Sequence, residues 1–254
     1  MSINLRSLKD ISKLHDANKI VASALELLRQ NTKSGISLKE LDAMAEDHIR
    51  SFGAKPSFKG LYGFPNSVCT SVNEVIIHGI PTDYKLKDGD IVGYDIGTEL
   101  DGWFGDAAIT LGVGEITKED EKLIACAKDT LYEAIEAIEV GMRFKELSAL
   151  LENSIRSKGF VPLHSFCGHG IGRKPHEEPE IPNYLEVGSA KAGPKIRNGM
   201  VFCLEPMICQ TDSRPVILEN KWDVVSADGL KGSHYEHTVA IVDGRAKILS
   251  TLKD

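Results

Sequence analysis

The stretch "GISLKELDAMAEDHIRSFG" (residues 35–53) aligns without gaps on "GMRFKELSALLENSIRSKG" (141–159), with identity at ten of nineteen positions. The identities run from Gly35 and Gly141, through Lys39-Glu40-Leu41 and Lys145-Glu146-Leu147, to Gly53 and Gly159. In each copy apolar residues fall at helical spacing: Leu38, Leu41, Ala45 and Ile49 in one, Phe144, Leu147, Leu151 and Ile155 in the other. This pattern predicts two amphipathic helices, each closed by a glycine. A longer helical segment precedes each, over 5–30 and over 118–139, the second entered through the capping pattern Thr117-x-x-Asp120. The match resumes downstream, where "KDGDIVGYD" (87–95) parallels "RNGMVFCLE" (197–205). Each has a turn glycine, then an apolar strand, then a carboxylate, so Asp95 and Glu205 hold equivalent places. Amphipathic helices resemble one another by chance, but two matches in the same order favour duplication. A duplicated chain predicts an α+β fold of two halves, about 5–112 and 117–245, within a single domain of residues 1–254. Strands of the two halves would pack into an antiparallel sheet with helices outside, leaving a site where the halves meet. The "HGI" shared by His78 and His169 falls at a different offset and is coincidence.

The rest of the composition narrows the class. The net charge of -7 is spread along the chain with no basic stripe, which weighs against nucleic-acid binding. No apolar run is long enough to span a bilayer, and the start has no apolar core of signal-peptide length. Cys69, Cys126, Cys167, Cys203 and Cys209 are odd in number and lack CxxC pairing, so reduced thiols in a cytoplasmic protein are expected.

Residues 88–114, "DGDIVGYDIGTELDGWFGDAAITLGVG", read as a β-hairpin with Asp-Gly as its turn signal. A four-residue loop over 99–102 would set Asp95 directly opposite Asp106. A two-residue Asp101-Gly102 loop would shift the pairing by two yet leave both aspartates on one face, and a three-residue loop would separate them. Two aspartates on one face of apolar strands need a proton, an arginine or a cation between them. No Arg or Lys lies in the strands themselves, and a metal is the simplest answer. Glu205 sits in the apolar "GMVFCLEPMI"; Glu236 opens "HYEHTVAIV", where an exposed strand start is the plain alternative. Four carboxylates with one histidine suit two divalent ions such as Mn, Fe, Co or Zn, bridged by shared carboxylates. Mg would not need the imidazole, and a closed structural zinc site would prefer cysteine.

The segment "CGHGIGRKPHEEP" (167–179) alternates Gly168, Gly170 and Gly172 but lacks the last glycine of a dinucleotide loop, where Arg173 stands, and the spacing of a phosphate loop. Its glycines are expected to let the backbone pass close to a metal cleft.

The ordered series Asp95, Asp106, His169 in "CGHGIG", Glu205 in "VFCLEPM" and Glu236 in "YEHT" resembles the type I methionine aminopeptidases, in their short bacterial form. "GFPNSVCTSVNEVIIHGIP" (63–81), which carries His78, is similar to a segment of the same family. The resemblance covers about residues 5–250. It implies the pita-bread (creatinase/aminopeptidase) fold, with its pseudo-twofold repeat, and removal of the initiator methionine from nascent proteins when the next residue is small. It implies Asp95, Asp106, His169, Glu205 and Glu236 as ligands of two divalent metal ions (Co, Mn, Fe or Zn), with water activated between the ions. Glu205 would also move the proton, and His78 and His176 would touch the peptide. Phe64, Cys69 and Trp222 would enclose the methionine side chain, although core packing is the plain alternative for Phe64 and Trp222. Lys174-Pro175 and Leu61 depart from the family's pocket pattern, although Tyr62 adjoins Leu61. Expected partners are the N-terminal peptide of nascent proteins and the ribosome, with no membrane and no nucleic-acid specificity. A monomer is expected. An X-Pro aminopeptidase or prolidase shares this fold and ligand series but usually carries an extra N-terminal domain. A metal-free pita-bread binding module would have lost ligands that this chain keeps.

Overall fold

The computed structural model describes residues 2–252. Four helices carry the outer surface: α1 (Leu8–Asn31), α2 (Leu38–Ser51), α3 (Lys118–Glu136) and α4 (Phe144–Ser157). The first half contributes strands β1 (Lys55–Pro56), β2 (Val68–Val72), β3 (Val75–Ile77), β4 (Ile91–Leu100) and β5 (Trp103–Gly112). The second adds β6 (Val161–Pro162), β7 (Cys167–Gly170), β8 (Glu177–Pro182), β9 (Val201–Leu204) and β10 (Met207–Cys209). It closes with β11 (Pro215–Ile217), β12 (Val224–Ser226), β13 (Ser233–His234), β14 (Glu236–Val242) and β15 (Arg245–Ile248).

Local chemistry starts each helix where the sequence pattern places it. Ser7 caps α1 by accepting from the Asp10 amide, and the Asp10 carboxylate accepts from the Ser7 amide in return. Ser37 and Glu40 repeat this reciprocal box on α2. On α4 an arginine replaces the serine, and only the Glu146 half of the box remains, accepting from the Arg143 amide at 2.7 Å. Gly53 and Gly159 follow α2 and α4 in the left-handed region, as a helix-ending glycine requires.

The repeat is visible in matched main-chain hydrogen bonds. Gly35 donates to Leu86 at 2.8 Å, and Gly141 donates to Ile196 at 2.9 Å. Further on, Gly89 donates to Val113 at 2.9 Å, and Gly199 donates to Ile241 at 2.8 Å. Each half packs its own helix pair on its own strands. In the first, Val21, Leu25, Leu28, Leu41 and Ile49 meet Val68, Tyr94, Ile96 and Ala107; in the second, Leu131, Leu147 and Leu151 meet Phe202, Leu204, Val239 and Ile241.

The strands of both halves join in one antiparallel sheet of order β1-β4-β5-β14-β9-β7-β8, with β2 also paired to β4 and β15 to β14. The junction is the pairing of β5 with β14. The hairpin β4–β5 turns over two residues, Asp101 and Gly102, both with positive φ, and pairs Leu100 with Trp103. Of the registers open from sequence, this is the one shifted by two. Asp95 pairs with Ala108 and Asp106 with Gly97, so the aspartates sit diagonally on one face, opposite the helix-facing Tyr94, Ile96 and Ala107.

Helix α1 is locked onto that hairpin. The Thr98 hydroxyl donates to the Ala17 carbonyl at 3.0 Å, and the Asp106 amide donates to the fully buried Asn18 side chain at 3.2 Å. Gly105 makes this contact possible, because a Cβ there would lie 2.8 Å from the Asn18 amide nitrogen. Gly105→Ala is therefore expected to lower unfolding free energy by about 1–3 kcal/mol, through overpacking of helix against strand. Urea unfolding of the metal-free protein measures this, and an unchanged midpoint would mean that α1 can shift without cost.

Candidate metal centre

Three neighbouring strands bring three carboxylates to one place. Ala108 on β5 pairs with Asp95 on β4 to one side and Glu236 on β14 to the other. Its small side chain leaves open the space between them, and Asp106 projects from the same face two residues away. Leu204 pairs with His237, so Glu205, the next residue, falls beside Glu236. On the far side of β9, Gly170 pairs with Phe202, which sets His169 beside Cys203. Ligand atoms of Asp106, His169, Cys203 and Glu236 all lie within 4.8 Å of one another.

The electrostatics of this cluster call for a cation. Burial pushes Asp95 up to about 7. Burial, with the charges of Glu236 and Asp95, raises Asp106 well above the carboxylate range. Burial with Asp95 and Asp106 raises Glu205, and burial with Glu205 and Asp95 raises Glu236. Asp95 Oδ1, Asp106 Oδ1 and Glu236 Oε1 are buried without a hydrogen-bond partner among the described residues. His169 donates from Nδ1 to its neighbour's carbonyl, Gly170 O, at 3.0 Å, which leaves Nε2 as a bare lone pair. Burial, then His176, holds that imidazole neutral by pushing it down to about 3. Its Nε2 nevertheless lies 3.5 Å from Glu205 Oε1, so two acceptors face each other. A divalent ion satisfies both, and orphaned carboxylate oxygens beside an imidazole suit a borderline divalent metal.

These groups line one wall of a cavity of about 480 Å³. All ten residues expected to form the site line it: Asp95, Asp106, His169, Glu205, Glu236, His78, His176, Phe64, Cys69 and Trp222. Glu236 is 2% exposed, so it is not an exposed strand start. Phe64 and Trp222 meet edge to face with ring centroids 5.1 Å apart, and pack with Phe58 and Cys69 as the apolar side of the cavity. Trp222 is thus both packed and cavity-lining. His176 stands edge-on to His169 at 4.5 Å between centroids. His78, at φ +60°, is pushed down to about 4 by burial and then His176, and packs against Phe166. Leu61 lines the cavity, whereas Tyr62 stands 79% exposed at its mouth, stacked near-parallel over His176. Neither Lys174 nor Pro175 is among the lining residues. The alternating glycines serve strand packing. A Cβ at Gly168 would collide with the Cys203 carbonyl, and one at Gly170 with the Glu178 carbonyl.

Two residues of the centre escape a reading of the sequence. Cys203 is hidden because a cysteine inside "VFCLE" reads as core. His234 lies 3.7 Å from Glu205 Oε2 with its Nε2 unpartnered. The matched bonds of Val113 and Ile241 offset β5 from β14 so that Ala108 corresponds to Glu236, and Asp106 to His234. Extending the repeat by one more strand would have found it.

The comparisons with known proteins agree with this geometry. Residues 12–243 match the family model of metallopeptidase family M24. A methionine aminopeptidase of Helicobacter pylori is 61% identical over 251 residues, covering 98% of this chain and 99% of its own. The crystal structure of a methionine aminopeptidase from Thermotoga maritima superposes with a TM-score of 0.95 at 35% identity, covering 98% of this chain and 100% of that one. A prolidase from Pyrococcus furiosus, at 23% identity and TM-score 0.79, shares the pita-bread fold over 98% of this chain but only 66% of its own length.

The raised carboxylates carry a pH signature in the metal-free protein. A carboxylate raised by folding contributes its full stability below its unfolded value, and loses it as pH rises through the folded one. For Asp95 the loss runs from about 4 through about 7. Asp95→Asn is therefore expected to stabilise the chelator-treated protein at pH 8.5 by roughly 1–4 kcal/mol, with the gain shrinking toward pH 5.5. Urea unfolding at both pH values tests this. A less stable variant at pH 8.5 would mean that a protein cation already balances the cluster.

Proposed function

The chain belongs to the methionine aminopeptidases of metallopeptidase family M24, and we propose that it removes the initiator methionine from nascent proteins whose second residue is small. The observation that carries this reading is the cluster of buried carboxylates and one bare imidazole nitrogen, facing an apolar cavity wall built by Phe64, Cys69 and Trp222. Asp95, Asp106, His169, Glu205 and Glu236 would hold two divalent ions drawn from Co, Mn, Fe or Zn. When bound, such ions lower the pKa of water and polarise a carbonyl.

The chain's own groups then divide the work. Glu205, between His169 and His234, takes the proton of the attacking water and returns it to the leaving amine. His176 donates a hydrogen bond to the oxyanion that develops on the scissile carbonyl. His78, held in place by its left-handed backbone and Phe166, contacts the peptide nitrogen. Phe64 and Trp222 enclose the methionine side chain, whose sulfur gains from contact with the rings. Cys69 adds an apolar wall. Its thiol is pushed far up by burial, then by Asp95 and Asp106, so it is no nucleophile. The protein would work as a monomer in the cytoplasm, on the N-terminal peptide of chains at the ribosome. No helix among the described residues is long and apolar enough to cross a membrane.

Chelator-treated protein is expected to cleave no peptide, and one or more of Mn, Fe, Co and Zn to restore hydrolysis of Met-Ala-x but not of Ala-Pro-x. Cleavage of the proline peptide alone would make the chain an X-Pro aminopeptidase or prolidase-like hydrolase, and no hydrolysis with any metal would leave a binding module. Within the active protein, His169→Ala should lower the bound metal count, while His176→Ala keeps the metals and loses about 10²–10³-fold in kcat. Full activity in either variant overturns that residue's role.

A further inference from the structure

The imidazole of His176 is positioned by ring contacts with His169 and Tyr62, so its placement depends on how the turn that carries it is held. That turn, residues 171–177, is tied at both ends. Glu177 Oε1 accepts from the amides of Arg173 at 2.8 Å and Lys174 at 3.2 Å, closing the turn on itself. Glu177 Oε2 accepts from Asn4 Nδ2 at 2.8 Å and from the guanidinium of Arg6. Arg6 precedes α1 and is anchored by its own amide, which donates to the Gly199 carbonyl at 2.7 Å. Its guanidinium occupies the space where Gly172 has no side chain, and any Cβ there would collide with it. At the other end Arg173 lies 3.9 Å over the Trp103 ring and donates to the carbonyls of Asp101 and Gly102, at the tip of the hairpin that carries Asp95 and Asp106.

The ion pair is nearly dry, with side chains 13% exposed for Arg6 and 8% for Glu177. A surface pair would contribute little, but a buried one leaves an uncompensated charge when either partner is removed. We infer that Arg6 and Glu177 are positioning residues, a strap from the segment before α1 that sets the distance of His176 from the substrate carbonyl. The inference rests on the donor role proposed for His176. A donor serves only where the oxyanion forms, and a displacement of about 1 Å can cost 10²-fold in rate. Arg6 touches none of the reacting groups; its guanidinium also lies 5.7 Å from the centroid of the Trp103 ring, and the His176→Ala background tells an effect carried by the turn from one carried by the hairpin.

A double-mutant cycle on the metal-loaded protein separates this role from simple stabilisation. Arg6→Met should lower kcat on a Met-Ala peptide by about 10–100-fold with KM nearly unchanged, and Arg6→Lys should recover part of the loss. In a His176→Ala background the same Arg6→Met change should cost nothing further. Thermal midpoints and metal content, measured alongside, verify that each variant is folded and loaded. If Arg6→Met does not fold, the near-isosteric Glu177→Gln carries the same cycle. A loss of equal factor in both backgrounds, or no loss in the first, overturns the strap. Wild-type protein inactive on the peptide would instead overturn the proposed function. An innocuous His176→Ala would overturn the donor role, and the strap with it.

Discussion

Four carboxylates with no cation of the described residues among them set the terms for the rest of this structure. Asp95, Asp106, Glu205 and Glu236 are taken out of water and brought within repulsive range; burial raises all four, and neighbouring carboxylates add to it for Asp106, Glu205 and Glu236. A sheet left to itself would splay such residues apart or let water between them. Here the opposite face of the same strands is fastened to helices. Tyr94, Ile96 and Ala107 are buried under α1 and α2, and Phe202, Leu204, Val239 and Ile241 under α3 and α4. Period-two alternation thus turns each strand into a lever, with apolar burial on one side holding charged groups together on the other. The cluster persists because the layer beneath it cannot relax.

Duplication supplies the framework, and departures from symmetry supply the centre. Asp95 and Glu205 occupy equivalent positions, one from each half. Where the first half has Asp106 the second has His234, and where the second has Glu236 the first has the small Ala108. Symmetric carboxylates at every position would crowd the junction of β5 and β14 with further charge. Alanine at 108 leaves open the space between Asp95 and Glu236, and a neutral His234 beside Glu205 adds an imidazole where another carboxylate would add repulsion.

Most of the fold was legible because it is written in short-range periodicities. The helical spacing of residues 35–53 and 141–159, the Asp-Gly turn and the turn glycines each fix a local geometry regardless of context. Hairpin register was legible only as a choice. The sequence allowed three pairings of β4 with β5, and the two-residue turn with positive φ at Asp101 and Gly102 selects among them. Cys203 and His234 were not legible from their surroundings, since a cysteine in an apolar strand reads as packing and the two-residue strand Ser233–His234 carries no pattern of its own. What makes them part of the centre is a side chain brought close from elsewhere in the chain: His169 for Cys203, and Glu205 for His234. Such pairings join residues far apart in the chain, and only the repeat offset encodes one of them.

The apolar wall was the least legible part for a different physical reason. Phe58, Leu61 and Phe64 come from an irregular loop, Cys69 from β2, Phe166 from a turn before β7, and Trp222 from the turn before β12. Loops carry no periodicity to reveal which face of a residue is turned inward. Yet the wall is not independent of the centre. Cys69 pairs with Asp95 across β2 and β4, so the inner edge of the wall and a carboxylate of the cluster share one rung of the ladder. Phe64 and Trp222 pack on Cys69 from the other side. The apolar wall and the carboxylate cluster therefore meet at the rung that joins β2 to β4, and the same strand pairing that holds Asp95 in the cluster holds Cys69 in the wall.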